Sequence, residues 1–96
     1  MPNSIPSGGP SADDRIMQAV RAVLRDHGRL PVDVGALGPD ADLFAAGLSS
    51  HAGVGLMLAL EDSFDIEFPD AMLKRSVFET ISSIESAIRE IRAVAV

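Results

Sequence analysis

The chain has no cysteine, no tryptophan and no tyrosine, and only four phenylalanines among its 96 residues. Without cysteine there is no disulfide framework, no iron–sulfur site and no thiol nucleophile, so any sulfur chemistry must come from a cofactor. Scarce aromatics leave little for stacking on bases or sugars. The first ten residues lack the basic start and apolar run of a secretory signal. No stretch approaches the roughly 18 apolar residues of a membrane span. A single cytoplasmic, monomeric domain is the expectation, since so short a chain cannot build two cores.

Basic residues are also missing, but only locally. The net charge is −6, and residues 40–70 hold seven acids (Asp40, Asp42, Glu61, Asp62, Asp65, Glu67 and Asp70) with no Lys or Arg. Residues 1–39 balance four acids with four bases, and residues 71–96 hold three acids and four bases. The whole surplus therefore lies in the middle third. Such a field repels nucleic acid and anionic membranes and favours basic partner surfaces.

What is present is nearly half apolar and patterned for helices. Residues 1–11, rich in Pro, Gly and Ser, read as a disordered tail, and residues 12–93 as the domain. Ser11 is a candidate cap for a first helix, with Asp13 and Asp14 in its first turn, where the helix dipole favours acids. Ile16, Val20, Val23, Leu24 and His27 recur at helical spacing, and Gly28 supplies a stop. Residues 29–49 carry too many Pro and Gly for a regular element. Their apolar residues predict a long loop pinned to the core, with a short helical turn at Asp40–Phe44.

A second helix is predicted from Ser50 to about Phe64, and Pro69 breaks the chain beyond it. A short third helix is predicted over Asp70 to Lys74. Thr80 opens a last helix whose buried stripe is Ile81, Ile84, Ala87, Ile88 and Ile91. Its outer face is read as Glu85, Arg89, Glu90 and Arg92. In the second helix Leu56, Leu60 and Phe64 should face the core. Val54 and Leu58, one turn apart, should form an exposed apolar strip flanked by Glu61 and Asp62.

Residues 42–70 carry a distinctive run of signals. Gly47 and Leu48 lead into Ser49-Ser50-His51. Leu60, Glu61 and Phe64 close the helix, and the turn Ile66-Glu67-Phe68-Pro69-Asp70 follows. This run resembles the acyl and peptidyl carrier protein family. The resemblance spans roughly residues 12–93 and implies an all-α four-helix bundle with a long first loop and a short third helix. It also implies 4′-phosphopantetheine, taken from coenzyme A, on Ser50. A non-enzyme of this kind holds an acyl or aminoacyl thioester. The implied partners are a phosphopantetheinyl transferase, an ATP-dependent amino acid or acyl ligase, and a downstream acceptor enzyme.

Ser49 stands where the family pattern has Asp, and His51 where it has Leu. Serine keeps the capping role but removes a negative charge beside the attachment point. The Gly-Leu-Ser-Ser-His-Ala combination is similar to small bacterial aminoacyl carrier proteins, which are loaded by stand-alone ligases resembling the core of seryl-tRNA synthetases. Ser49, His51, Val54, Leu58, Glu61 and Asp62 become candidate partner contacts. An unmodified helical interaction domain of the same fold, and a carrier of fatty-acyl cargo, are the alternatives.

Other chemistry finds no support. Adjacent residues on a helix point about 100° apart, so Ser50 and His51 do not form a hydrolytic pair. Neither His27 nor His51 belongs to a cluster with metal-site spacing. His27 instead suits the negative end of the first helix.

Overall fold

The computed structural model describes the backbone of residues 12–94 and the side chains of residues 15–93. The reading of residues 1–11 as a tail, and of Ser11, Asp13 and Asp14 as a helix start, lies outside the described side chains. Among the described residues there are three α-helices, α1 (Ala12–His27), α2 (Ser50–Phe64) and α3 (Ile81–Val94), with one short 3-10 turn between α1 and α2 at Val34–Ala36 and two between α2 and α3 at Asp70–Met72 and Arg75–Val77. Helix α1 packs against both α2 and α3. Among the described residues no helix is long and apolar enough to cross a membrane.

The core follows the helical periodicities. Val20 and Leu24 of α1, Leu56 and Leu60 of α2, and Ile81, Ile84 and Ile88 of α3 are fully buried, joined by Leu43 from the first loop. Burying each of these aliphatic side chains contributes about 1.5–3 kcal/mol. Phe68 and Phe78 close one end of the core, edge to face at 5.3 Å between ring centroids.

The long first loop is held by named bonds. Arg21 Nη1 donates to the carbonyls of Val34 (3.0 Å) and Leu37 (2.7 Å). The Leu43 N–H donates to Glu79 O at 2.8 Å, and the Ser82 N–H to Pro39 O at 2.9 Å. These bonds satisfy backbone groups that an unpaired loop would leave exposed or orphaned, so α1 and the start of α3 fix where the loop ends. The short helical turn read over Asp40–Phe44 lies two residues later: the Ala46 N–H donates to Asp42 O at 3.0 Å, and Asp42 Oδ1 caps this single turn by accepting from the N–H groups of Phe44 and Ala45.

Two further expectations are corrected. The third helix, read over Asp70–Lys74, is replaced by the turns at Asp70–Met72 and Arg75–Val77. Lys74, extended at φ −144° and ψ 157°, separates them. So short a segment cannot offset the cost of nucleating an α-helix. Glu85 does not face out: it is 7% exposed, and its Oε2 is buried with no hydrogen-bond partner. The reason is register, since Glu85 lies four residues after Ile81 and one after Ile84, on the apolar side of α3.

The helix ends are determined locally. Thr80 and Ser83 cap α3 reciprocally: the Ser83 N–H donates to Thr80 Oγ1 (2.9 Å) and the Thr80 N–H to Ser83 Oγ (3.1 Å). Asp65 ends α2 in the left-handed region at φ 54°. At the end of α1 the left-handed residue is Arg29, not Gly28. Gly28 meets a different demand, because a Cβ there would lie 2.6 Å from Leu24 O and 2.8 Å from Leu24 Cδ1.

Candidate functional site

The site begins where the first loop delivers the chain to α2. Gly47 has φ +121°, and a Cβ on it would strike the Pro31 ring at 2.5 Å, so both conformation and space require glycine. Leu48 is buried and anchors the next step. Ser49, extended at φ −87° and ψ 160°, is the N-cap. Its Oγ accepts from the Ala52 N–H at 3.0 Å.

Ser50 is therefore the first residue of α2, and it is exposed. Its Oγ sits at the end where unpaired N–H groups and the helix dipole favour a negative group. The capping duty belongs to its neighbour. A nucleophile or attachment point here is reachable by a second protein, and a phosphodiester at this position suits the local electrostatics.

Beyond the first turn, α2 presents two apolar faces. Ala52, Leu56 and Leu60 are buried inward. Val54 and Leu58 stand outward at 56% and 55% exposure, and Leu73 adds another exposed apolar side chain at 46%. His51, like Asp62, is exposed. Glu61 is half-buried and structurally engaged, because its Oε2 accepts from the Phe68 N–H at 2.9 Å and holds the turn after α2. Asp62 faces α1 across a shallow groove that also contains Asp26 and His27. Among the described residues no group of three or more His, Cys, Asp or Glu side chains is placed to hold a metal.

One feature escaped sequence reasoning. A groove of about 330 Å³ runs from Ser50 past Gly53, Val54 and Met57, and its far wall is Phe44, Leu73, Lys74, Arg75 and Phe78. The Arg75 guanidinium stacks over the Phe44 ring, 4.0 Å from its centroid. The available signal was charge order, since Lys74 and Arg75 are the first bases after the acidic stretch. Their placement beside Ser50 depends on the paired 3-10 turns, which a predicted third helix did not describe.

Comparison with known proteins adds a family to this geometry. Residues 14–89 match the family model described as "Phosphopantetheine attachment site". An aminoacyl carrier protein of Agrobacterium fabrum is 49% identical over 70 residues, which is 73% of this chain and 84% of that protein. A crystal structure of an engineered Bradyrhizobium japonicum glycine:carrier protein ligase, complexed with carrier protein from Agrobacterium tumefaciens and ATP, contains a similar chain. It aligns with TM-score 0.77 and 46% identity over 79% of this chain and 99% of that one. A solution structure of an Agrobacterium tumefaciens protein aligns with TM-score 0.67 and 45% identity, covering 80% and 93% of the two chains.

Proposed function

Because the chain belongs to the phosphopantetheine attachment site family, we propose that it is a freestanding carrier. It bears the 4′-phosphopantetheine arm on Ser50 and presents an aminoacyl thioester to partner enzymes. The observation that carries this reading is the division of labour at the start of α2. Ser49 Oγ is occupied as the cap while Ser50 is exposed at the first helical position. When attached, the arm supplies the thiol that this cysteine-free chain lacks. The chain's own residues position the anchor, hold the helix end that faces the phosphodiester, and offer a surface to be read.

The aminoacyl rather than fatty-acyl assignment is supported by the names of the similar proteins, an aminoacyl carrier and a carrier complexed with a glycine-activating ligase. The partner surface consists of Ser49, His51, Val54, Leu58 and Asp62, with Glu61 contributing mainly through the turn it holds. A phosphopantetheinyl transferase, an ATP-dependent ligase and an acceptor enzyme would meet this face in turn, in the cytoplasm.

The test is intact mass after incubation with coenzyme A and a transferase. A gain of one phosphopantetheine, abolished by Ser50→Ala, is the expected result. No gain with either a general or the host's own transferase would overturn the reading and leave an unmodified interaction domain. Incubating the modified protein with ATP and candidate ligases then identifies the cargo by the mass of the thioester formed.

A further inference from the structure

The acid surplus of residues 40–70 favours basic partners, but the fold directs much of it away from Ser50. Asp42 Oδ1 is taken up by the N–H groups of Phe44 and Ala45, and Glu61 Oε2 by the N–H of Phe68. Asp62 lies with Asp26 in the groove on the α1 side. Asp65 closes the far end of the 15-residue helix α2, about 20 Å along the axis from Ser50. That separation exceeds twice the screening length of roughly 8 Å at physiological ionic strength. The first turn of α2 has no acidic residue, and no Asp or Glu lines the groove beside Ser50.

The full charges that do line this groove are positive. Lys74 and Arg75 are exposed on its wall, and neither is in an ion pair among the described residues. Lys74 also borders a second groove that contains Glu90, and no ion pair joins the two. The Arg75 guanidinium lies over the Phe44 ring, 4.0 Å from its centroid. Stacking fixes the plane and leaves the N–H donors along its edge open to a carboxylate. The exposed side chains of Val54 and Leu73 line the same groove, and Leu58 stands one turn further along α2. An apolar centre edged by arginine is the composition of a protein–protein contact.

Building on the carrier reading of Ser50, we infer that the anchor end of α2 docks against carboxylates. The ligase that loads the arm carries Asp or Glu side chains facing Lys74 and Arg75, around an apolar spot that meets Val54 and Leu73. Charge complementarity commits the surface to this occupant, because a basic surface is repelled here and is drawn instead to the acids on the α1 side. Ser49 fits the same sign, since an acid at that position would oppose the ligase's carboxylates. Charges at the edge of a contact act on encounter and salt dependence more than on the chemical step.

The experiment follows loading of the modified carrier, verified by intact mass, by the host ligase that the cargo assay identifies. The double variant Lys74→Glu, Arg75→Glu should raise KM for the carrier by about tenfold or more and leave kcat within about twofold. Added sodium chloride should raise KM for the parent and lower it for the double variant. Arg75→Lys, which keeps the charge, should stay close to the parent, and Asp26→Lys, on the α1 side, should leave KM unchanged. Circular dichroism melts separate a docking loss from a folding loss, and the single variants Lys74→Gln and Arg75→Gln carry the test if the double reversal does not fold. An unchanged or lower KM for the charge-reversed carrier would overturn the inference and leave the carrier reading intact. No gain of mass at Ser50, or no loading by any host ligase, would remove the reading on which it rests.

Discussion

Helix α2 contains two glycines that the fold does not ask for, and their replacement gives a sharp stability test. At Gly53 and Gly55 an added Cβ would meet no heavy atom within 4 Å, and neither has a positive φ. Alanine in a helix interior is favoured over glycine by about 0.8–1.0 kcal/mol, and with no steric conflict the full gain should appear. For a domain of this size, 1 kcal/mol corresponds to roughly 4–8 °C in Tm. Gly55→Ala should raise Tm by about that much. Residues two apart on a helix do not face each other, so the double variant should approach about 2 kcal/mol. Gly28→Ala is the counter-case. Its Cβ would press on Leu24 O, which already accepts the Gly28 N–H at 2.7 Å, so a loss of about 1–3 kcal/mol is expected. Thermal and urea denaturation followed by far-UV circular dichroism measure all three. A Gly55→Ala variant that is neutral or less stable would refute the claim that α2 has free space on this face.

Four other substitutions probe separate parts of the molecule. Arg21→Ala removes two charge-assisted bonds to the first loop. It should cost about 2–3 kcal/mol and increase amide exchange at residues 34–37 more than in α3. Ser49→Ala should cost about 1 kcal/mol through loss of the cap yet still accept the arm, whereas Ser50→Ala should melt normally and gain no mass. Val54→Asp, at a site 56% exposed, should change Tm by no more than a few degrees but reduce the rate of ligase loading at least tenfold. A collapse in stability would show that Val54 serves the core.

Much of the fold was legible because periodicity and breakers act locally. The stripes Ile16–Val20–Val23–Leu24 and Ile81–Ile84–Ile88 marked α1 and α3, and they lie in the core as their spacing requires. The segment around Ser50 was legible because a short cap–helix start leaves a compact signature. What failed depended on tertiary context. Arg21 is interleaved with the apolar positions of α1, and its value lies in carbonyls 13 and 16 positions away. Glu85 carried a solvent-facing charge into a register that buries it. Lys74 was placed at the end of a short helix, while the chain turns twice there and delivers it, with Arg75, to the groove.

Around Ser50, the demands of the fold and the features the fold leaves unexplained fall on different residues. Gly47 is required by φ and by Pro31, Leu48 and Ala52 by burial, and Ser49 by the cap. None of these reasons extends to Gly53, Val54 or Leu58. Val54 and Leu58 keep more than half of their surface in water, forgoing burial that would contribute about 1.5–3 kcal/mol each, and Gly53 weakens the helix that carries them. A helix optimised only to close this core would place polar side chains at 54 and 58 and alanine at 53. Retaining two aliphatic side chains and a bare backbone within two turns of an exposed serine is what an outward-acting face requires. On the carrier reading proposed above, that face is apolar where a partner would bind, and it is rigid because Leu56 and Leu60 on the opposite face are fully buried.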